Sequence, residues 1–500
     1  MRKEIKMQSV DLNLGIKIEK KTLIGITSII VLIMIFAGVL TQIVPTGVYD
    51  VDANGAIING TYHEIPREEV GYSFWRVFIA PIESFIYATS DAMTGVLIIL
   101  VIVLIGGTFL ILDKSGVLKY LMTVITNKFS NRKYTLLAVM ILACMALSSF
   151  AGILEESVTL VPLAVAISLS LGWDSLVGLG ISLISIAFGF SAATFNPFNV
   201  GIVQSMADLP MFSGLMFRLL VFAVVYAVLA GFFISYAKKI EKDPTKSLFY
   251  EGDKKLKERL LNEDETKKAL ANPNLPKASR VFGYSMLTVL IITLCCLVAN
   301  IFIENSAVSD IIGYLPLASM AILFTAGGLR AGYVSGIRGK ELLSGFATGV
   351  KTILPVAPVI IFIISVTYIL KSGMIIDTLL YWVYNAIQGI NPYVSIIIIF
   401  FVICIFEFFI GSGSAKAFLL MPILLPLVDM IGIGRQNLIV AFCISDGFCN
   451  VLFPTNGILM IALGMINISY IKYFRATWKL FALEFIAAIG LLLLGTAIGY

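Results

Sequence analysis

Ser148-Ser149-Phe150-Ala151-Gly152-Ile153-Leu154-Glu155-Glu156 and Gly411-Ser412-Gly413-Ser414-Ala415-Lys416 interrupt an otherwise apolar chain at matching places in its two halves. Charges and glycines are expensive in hydrocarbon, so paired interruptions in a duplicated membrane protein mark where a solute is held near the bilayer midplane. Hydrophobic residues make up 59% of the 500 and charged residues 13%, so most of the chain must face lipid or other apolar helices. Stretches long enough to cross about 30 Å of hydrocarbon recur, at residues 23–44, 96–112, 217–236 and 480–498 among others. Backbone groups in lipid must be paired within one segment, and the short alternating strands of a barrel are lacking. The chain therefore reads as an all-α polytopic membrane protein.

Lysine and arginine gather in the leader (Arg2, Lys3, Lys6, Lys17, Lys20, Lys21), in residues 114–133 and in residues 238–280. Basic loops stay in the cytoplasm, whereas residues 45–79, with Asp50, Asp52, Glu64, Glu68 and Glu69, belong outside. The expected organisation is a cytoplasmic leader 1–21, a first membrane half 22–237, a cytoplasmic linker 238–280 with a helix-like run over 254–270, and a second membrane half 281–500. The leader is long and charged and no small-residue cleavage site follows it, so the first apolar stretch is expected to be a retained helix. A net charge of +5 is ordinary for such loops and implies no nucleic-acid partner. The six cysteines form no CxxC or Cys/His cluster, so neither a disulfide framework nor a metal site is expected; the single histidine, His63, reads as solvated in a polar loop.

The halves share an order of features. Leu112-Asp113-Lys114-Ser115-Gly116-Val117 has its counterpart in Ile369-Leu370-Lys371-Ser372-Gly373-Met374. Each is followed by one of the polar breaks, a helix with Pro162 or Pro422, and then Gly172 or Gly434. Each copy closes with a span ending in Phe195-Asn196-Pro197-Phe198-Asn199 or Phe453-Pro454-Thr455-Asn456. Counting crossings from the basic linker puts Lys114 inside and Lys371 outside, so the repeats are inverted. Residues 134–171 then form a hairpin entering from the cytoplasm and residues 393–431 one entering from outside. Two full crossings in each place give the same parity, so the sequence leaves both arrangements open.

The breaks at Gly152, Pro197, Gly411 and Pro454 carry the chemistry. Gly411, Ser412, Gly413 and Ser414 bare amides and hydroxyls at a helix start, a device suited to a carboxylate, and Lys416 adds a positive charge. Glu155 and Glu156, beside the hydroxyls of Ser148 and Ser149, suit a cation, a proton or a substrate ammonium group. Pairing with another helix is the competing reading for Glu155 and Lys416. Asn196 and Asn199 offer amides next to a carbonyl freed by Pro197, and Thr455 with Asn456 repeats the device after Pro454; a plain helix end is the alternative. Asp446 is an intramembrane carboxylate, and Glu407, amid Phe406, Phe408 and Phe409, is a second, for which a structural hydrogen bond is as good a reading. Gly411-Ser412-Gly413-Ser414 resembles a nucleophile site only superficially, since His63 lies in a loop, no HExxH occurs, and a Ser412–Lys416 dyad has no further support. An intramembrane enzyme and a passive channel are therefore disfavoured. No cofactor is expected, Na+ or H+ being the candidate coupling ions.

Taken together, Gly106-Gly107-Thr108-Phe109, Lys114-Ser115-Gly116, Glu155-Glu156, Asn196-Pro197-Phe198, Ser412-Gly413-Ser414-Ala415-Lys416-Ala417, Gly434-Arg435-Gln436 and Asp446-Gly447-Phe448 resemble the YfcC family. That family is a branch of the C4-dicarboxylate anaerobic carrier-like proteins within the ion transporter superfamily. The resemblance implies a multi-pass carrier of the bacterial inner membrane with re-entrant hairpins, moving elevator-like and forming a homodimer. It also implies, as partners, the lipid bilayer and a small charged metabolite. A basic amino acid antiporter of the arginine/ornithine kind is the favoured reading, and a proton- or sodium-coupled C4-dicarboxylate carrier the alternative. Two departures stand out: Lys416 where the family pattern Gly-Ser-Gly-Gln-Ala has Gln, and Ala151-Gly152-Ile153-Leu154 where a Gly-Met-Gly passage is usual.

Overall fold

Each repeat resolves into the same succession of helices. The structure is a computed structural model and describes residues 20–51, 58, 60–87, 89–210, 212–260, 271–301 and 306–500. Residues 1–19 of the expected leader and residues 261–270 of the expected linker helix lie outside them. The first half comprises α1 (Lys20–Ile43), α2 (Ala80–Tyr87), α3 (Thr89–Lys114), α4 (Val117–Phe129), α5 (Lys133–Ala151), α6 (Ser157–Ser170), α7 (Ser175–Ser191), α8 (Ile202–Met206) and α9 (Leu215–Lys242). The connection holds α10 (Tyr250–Leu260) and α11 (Leu275–Ile301). The second half comprises α12 (Ser306–Ser335), α13 (Lys340–Ile353), α14 (Ala357–Ser372), α15 (Ile376–Ile387), α16 (Pro392–Phe409), α17 (Gly413–Ile431), α18 (Arg435–Cys449), α19 (Gly457–Met465) and α20 (Tyr470–Ala497). Among the described residues 7 helices are long and apolar enough to cross a membrane, or up to 8 if the bent pair Ile99–Lys114 and Val117–Phe129, at 71°, counts as one span.

The halves are interlocked by exchange. α1 packs on α14 and its counterpart α12 packs on α3; α2 packs on α14 and α13 on α3. Within each half the first hairpin arm lies along the broken helix, α5 on α7 and α16 on α18, and α7 and α18 meet at the centre. The second hairpin arms reach across, α6 to α19 and α17 to α8. Each of these contacts has an image in the other half, as a duplicated fold requires.

The breaks have local causes. α5 ends at Gly152, whose φ of 67° lies in the left-handed region and whose N–H closes on the Ser148 carbonyl at 2.8 Å. α17 starts where the Ser412 hydroxyl accepts the Ala415 N–H at 3.4 Å. Tyr134, at the start of α5, and Trp173, just past α6, bring their rings to 6.1 Å, so the arms of the first hairpin return to one side. Gly413 of the second break comes up to Asp446 of α18, and Glu155 of the first lies within electrostatic reach of it.

The connection docks on the bundle. Asp174 caps α7 through Val177 N–H at 3.0 Å and accepts the Tyr236 and Ser247 hydroxyls, each at 2.6 Å. Asp253 of α10 accepts Ser175 N–H at 2.8 Å and the Ser175 hydroxyl. Burial pushes the Asp253 carboxyl up to about 7, the neighbouring Asp174 charge adding to the rise while the Ser175 bonds oppose it.

Two outcomes follow from this fold. Cysteines replacing the exposed, repeat-related Lys114 and Lys371, in a cysteine-depleted background, should react with an impermeant thiol reagent from opposite sides of the membrane. Labelling of both from one side removes the inversion. For the linker, the Asp253 pKa lies above its unfolded value of about 3.9, so docking is strongest at acid pH and weakens as pH rises between that value and about 7. Hydrogen exchange at Val177 and Leu179 should accelerate from pH 5.5 to pH 8 by more than the intrinsic rate, and D253N should remove the excess.

Candidate functional site

Around Asp446 the fold gathers groups that are far apart in sequence. Lys416, fully buried, donates to Asp446 Oδ1 at 2.6 Å, pairs with Glu407 of α16, and lies 5.6 Å from the Phe442 ring centroid. Asn199 Nδ2 donates to Asp446 Oδ2 at 3.1 Å, and the Cys443 thiol donates to Asn199 Oδ1 at 2.7 Å. Asn199 reaches this point because the chain from Pro197 winds as a π-helical turn, with the Gly201 N–H bonded five residues back to the Asn196 carbonyl at 3.1 Å. Such widened turns recur at functional sites because they turn side chains and carbonyls out of helical register. A Cβ on Gly413 would stand 2.7 Å from Asp446 Oδ2, so this hairpin tip sits against the carboxylate only because residue 413 has no side chain.

The cluster continues along α18. Asn450 donates to the Asp446 carbonyl and accepts from Asn456, whose own Oδ1 caps α19 through Ile458 N–H at 2.9 Å and Leu459 N–H at 3.3 Å. Pro454 and Thr455 form the turn before that cap. On the other side, Glu155 lies within electrostatic reach of Asp446, with Glu156 beside it; Glu156 Oε2 is buried and has no hydrogen-bond partner among the described residues.

Not every polar residue of the breaks reaches this cluster. The Ser148 hydroxyl donates to the Ile153 carbonyl at 2.7 Å, closing the first tip on itself. Ser149 donates to the Ala192 carbonyl at 2.7 Å and accepts the Thr194 N–H at 3.1 Å, tying that tip to the unwound stretch before Asn196, which is itself buried. Gly411 and Ser412 are exposed and Ser414 half-buried. Lys416 departs most from its expected use: its ammonium is buried between two carboxylates, so its charge is already matched. Glu407 is therefore part of the cluster. Asn450, not singled out by the sequence, belongs too, and its spacing of four from Asp446 is the helical signal that points to it.

A family profile described as DcuC, C4-dicarboxylate anaerobic carrier, matches residues 24–497. A relative from Escherichia coli (strain K12), named "Putative basic amino acid antiporter YfcC", is 26% identical over 419 residues, 81% of this chain and 79% of that protein. An uncharacterized protein of Haemophilus influenzae is 26% identical over 419 residues, 84% of this chain and 77% of its own. The solved structure of Neisseria gonorrhoeae MtrF, described within a class of antimetabolite efflux pumps, is 16% identical over 95% of each chain with a TM-score of 0.45. The Alcanivorax borkumensis YdaH transporter structure is 16% identical over 95% of this chain and 97% of its own, with a TM-score of 0.41.

Removing one partner of a buried ion pair leaves uncompensated charge, at a cost of about 3–5 kcal/mol. Lys416→Met should accordingly lower the thermal midpoint of the detergent-purified protein sharply, and adding Glu407→Gln should recover part of the loss, Asp446 still lacking its cation. A double variant no more stable than the single one would show that the Glu407 pair is not what the lysine answers.

Proposed function

This chain belongs to the C4-dicarboxylate anaerobic carrier family and is a multi-pass membrane transporter, not an enzyme; from that premise we propose that it exchanges small cationic metabolites, with a basic amino acid as the substrate class. The charge at the meeting point of the hairpins carries the reading. One lysine stands there against four carboxylates, of Glu407, Asp446, Glu155 and Glu156. Lys416 matches part of this charge, and the acids of the first tip are left to be met by a cation. A solute ammonium or guanidinium group supplies it at lower desolvation cost than a second carboxylate would incur. A dicarboxylate would add negative charge to a cluster that already has an excess of it.

On this reading the protein works in the bacterial inner membrane by an elevator-like movement of the hairpins and broken helices, as a homodimer. A proton or sodium ion is the candidate coupling ion where exchange is not obligatory. The Glu155 and Glu156 pair receives the cationic end of the solute.

Proteoliposomes loaded with unlabelled arginine or ornithine should take up labelled arginine by counterflow, saturably, while succinate-loaded vesicles should not. Glu156→Gln should reduce this exchange at least about tenfold, the scale of one lost charge-assisted interaction, with membrane insertion intact. Counterflow of succinate in place of arginine would instead establish the dicarboxylate carrier.

A further inference from the structure

Arg218, in the first turn of α9, is 1% exposed and bears a charge that no protein environment removes. Its Nη1 donates to the Ser213 carbonyl at 2.6 Å and to Gln436 Oε1 at 3.4 Å. Nε and Nη2 are buried and have no hydrogen-bond partner among the described residues, and no ion pair there includes Arg218. The neighbouring groups are neutral and largely bonded to one another. Gln204 donates to the Ser213 carbonyl at 2.9 Å and to Gln436 Oε1 at 3.2 Å, and Gln436 donates to the Ser213 hydroxyl at 2.7 Å. The Tyr500 hydroxyl donates to the Gly214 carbonyl at 2.6 Å and its oxygen lies within hydrogen-bonding reach of the guanidinium, but a neutral phenol does not match the charge.

The two unused nitrogens form one edge of the guanidinium. Nε–H and the adjacent Nη2–H run parallel, at the spacing of the two oxygens of a carboxylate, so what is left free is a complete side-on fork rather than two scattered donors. The fork lies at the end of α18 near Gln436, ten positions along that helix from Asp446. Cys443, whose thiol bonds Asn199, lies within electrostatic reach of both Arg218 and Asp446.

We propose that Arg218 is the receptor for the negative end of the transported solute, binding a carboxylate side-on through Nε and Nη2 when hairpin movement opens that edge. The inference deepens the cationic-substrate reading and rests on it only for the identity of the solute. It moves the carboxylate from the Ser412–Ser414 tip, where the sequence places it, to α9.

The test is binding of radiolabelled arginine, its decarboxylated analogue agmatine, and succinate to the purified wild type, R218K and R218Q, with size-exclusion profiles confirming intact protein. R218K keeps the charge and a donor to Ser213 but has no fork. It should weaken arginine binding by about tenfold or more and leave agmatine within about twofold, with R218Q acting in the same direction. If the wild type binds succinate and not arginine, the cationic-substrate reading fails while the role of Arg218 stands, provided R218K weakens succinate. Equal losses of arginine and agmatine, unchanged binding of carboxylate ligands in R218K, or a wild type that binds none of the three overturns the proposal.

Discussion

A lysine ammonium with 0% exposure between α16 and α18 must be paired, and most of the architecture around the bundle centre follows from that need. Glu407 on α16 and Asp446 on α18 meet Lys416 on α17, so one ion cluster joins both arms of the second hairpin to the broken helix they embrace. Asn199 extends it into the first repeat, and Asn450 and Asn456 carry it to the cap of α19. Hydrocarbon offers no water to share these charges, so each link is satisfied by protein or by a solute.

The two repeats use one scaffold with different chemistry. At the offset that carries Ser115 to Ser372, the counterparts of Glu407, Lys416 and Asp446 are Phe150, Thr159 and Gly189. Where the second repeat joins its hairpin to α18 by charge, the first lets α5 and α7 approach directly, Gly189 lying against the backbone of Met145. Close backbone approach through small residues is the usual glue between helices in lipid. The first repeat keeps its charge at the tip instead, in Glu155 and Glu156. Packing is symmetric while charge is not, so the centre has one acidic and one neutralised approach.

Much of this was legible in the chain. The two breaks, Asp446, Lys416, the asparagines and the inverted order are read from composition, from hydropathy and from the repeat of Lys-Ser-Gly and of proline with asparagine. Gln204, Arg218 and Gln436 escape such a reading because they sit near helix ends, where polar residues ordinarily meet water at the interface. Nothing local distinguishes a guanidinium that snorkels to the surface from one held inside by Ser213 and Gln436.

What the sequence by itself determined was everything with a local cause: helices from apolar length, and breaks from glycine, proline and capping serine. Tertiary structure alone decided which charges meet. Lys416 and Asp446 are 30 positions apart, and Asn199 and Asp446 are 247 apart. No periodicity relates residues at such distances; their pairing depends on how the hairpins cross α18, which the exchanged packing of the two repeats sets. That crossing turned Lys416 from an expected ligand for a carboxylate into the counter-ion of two.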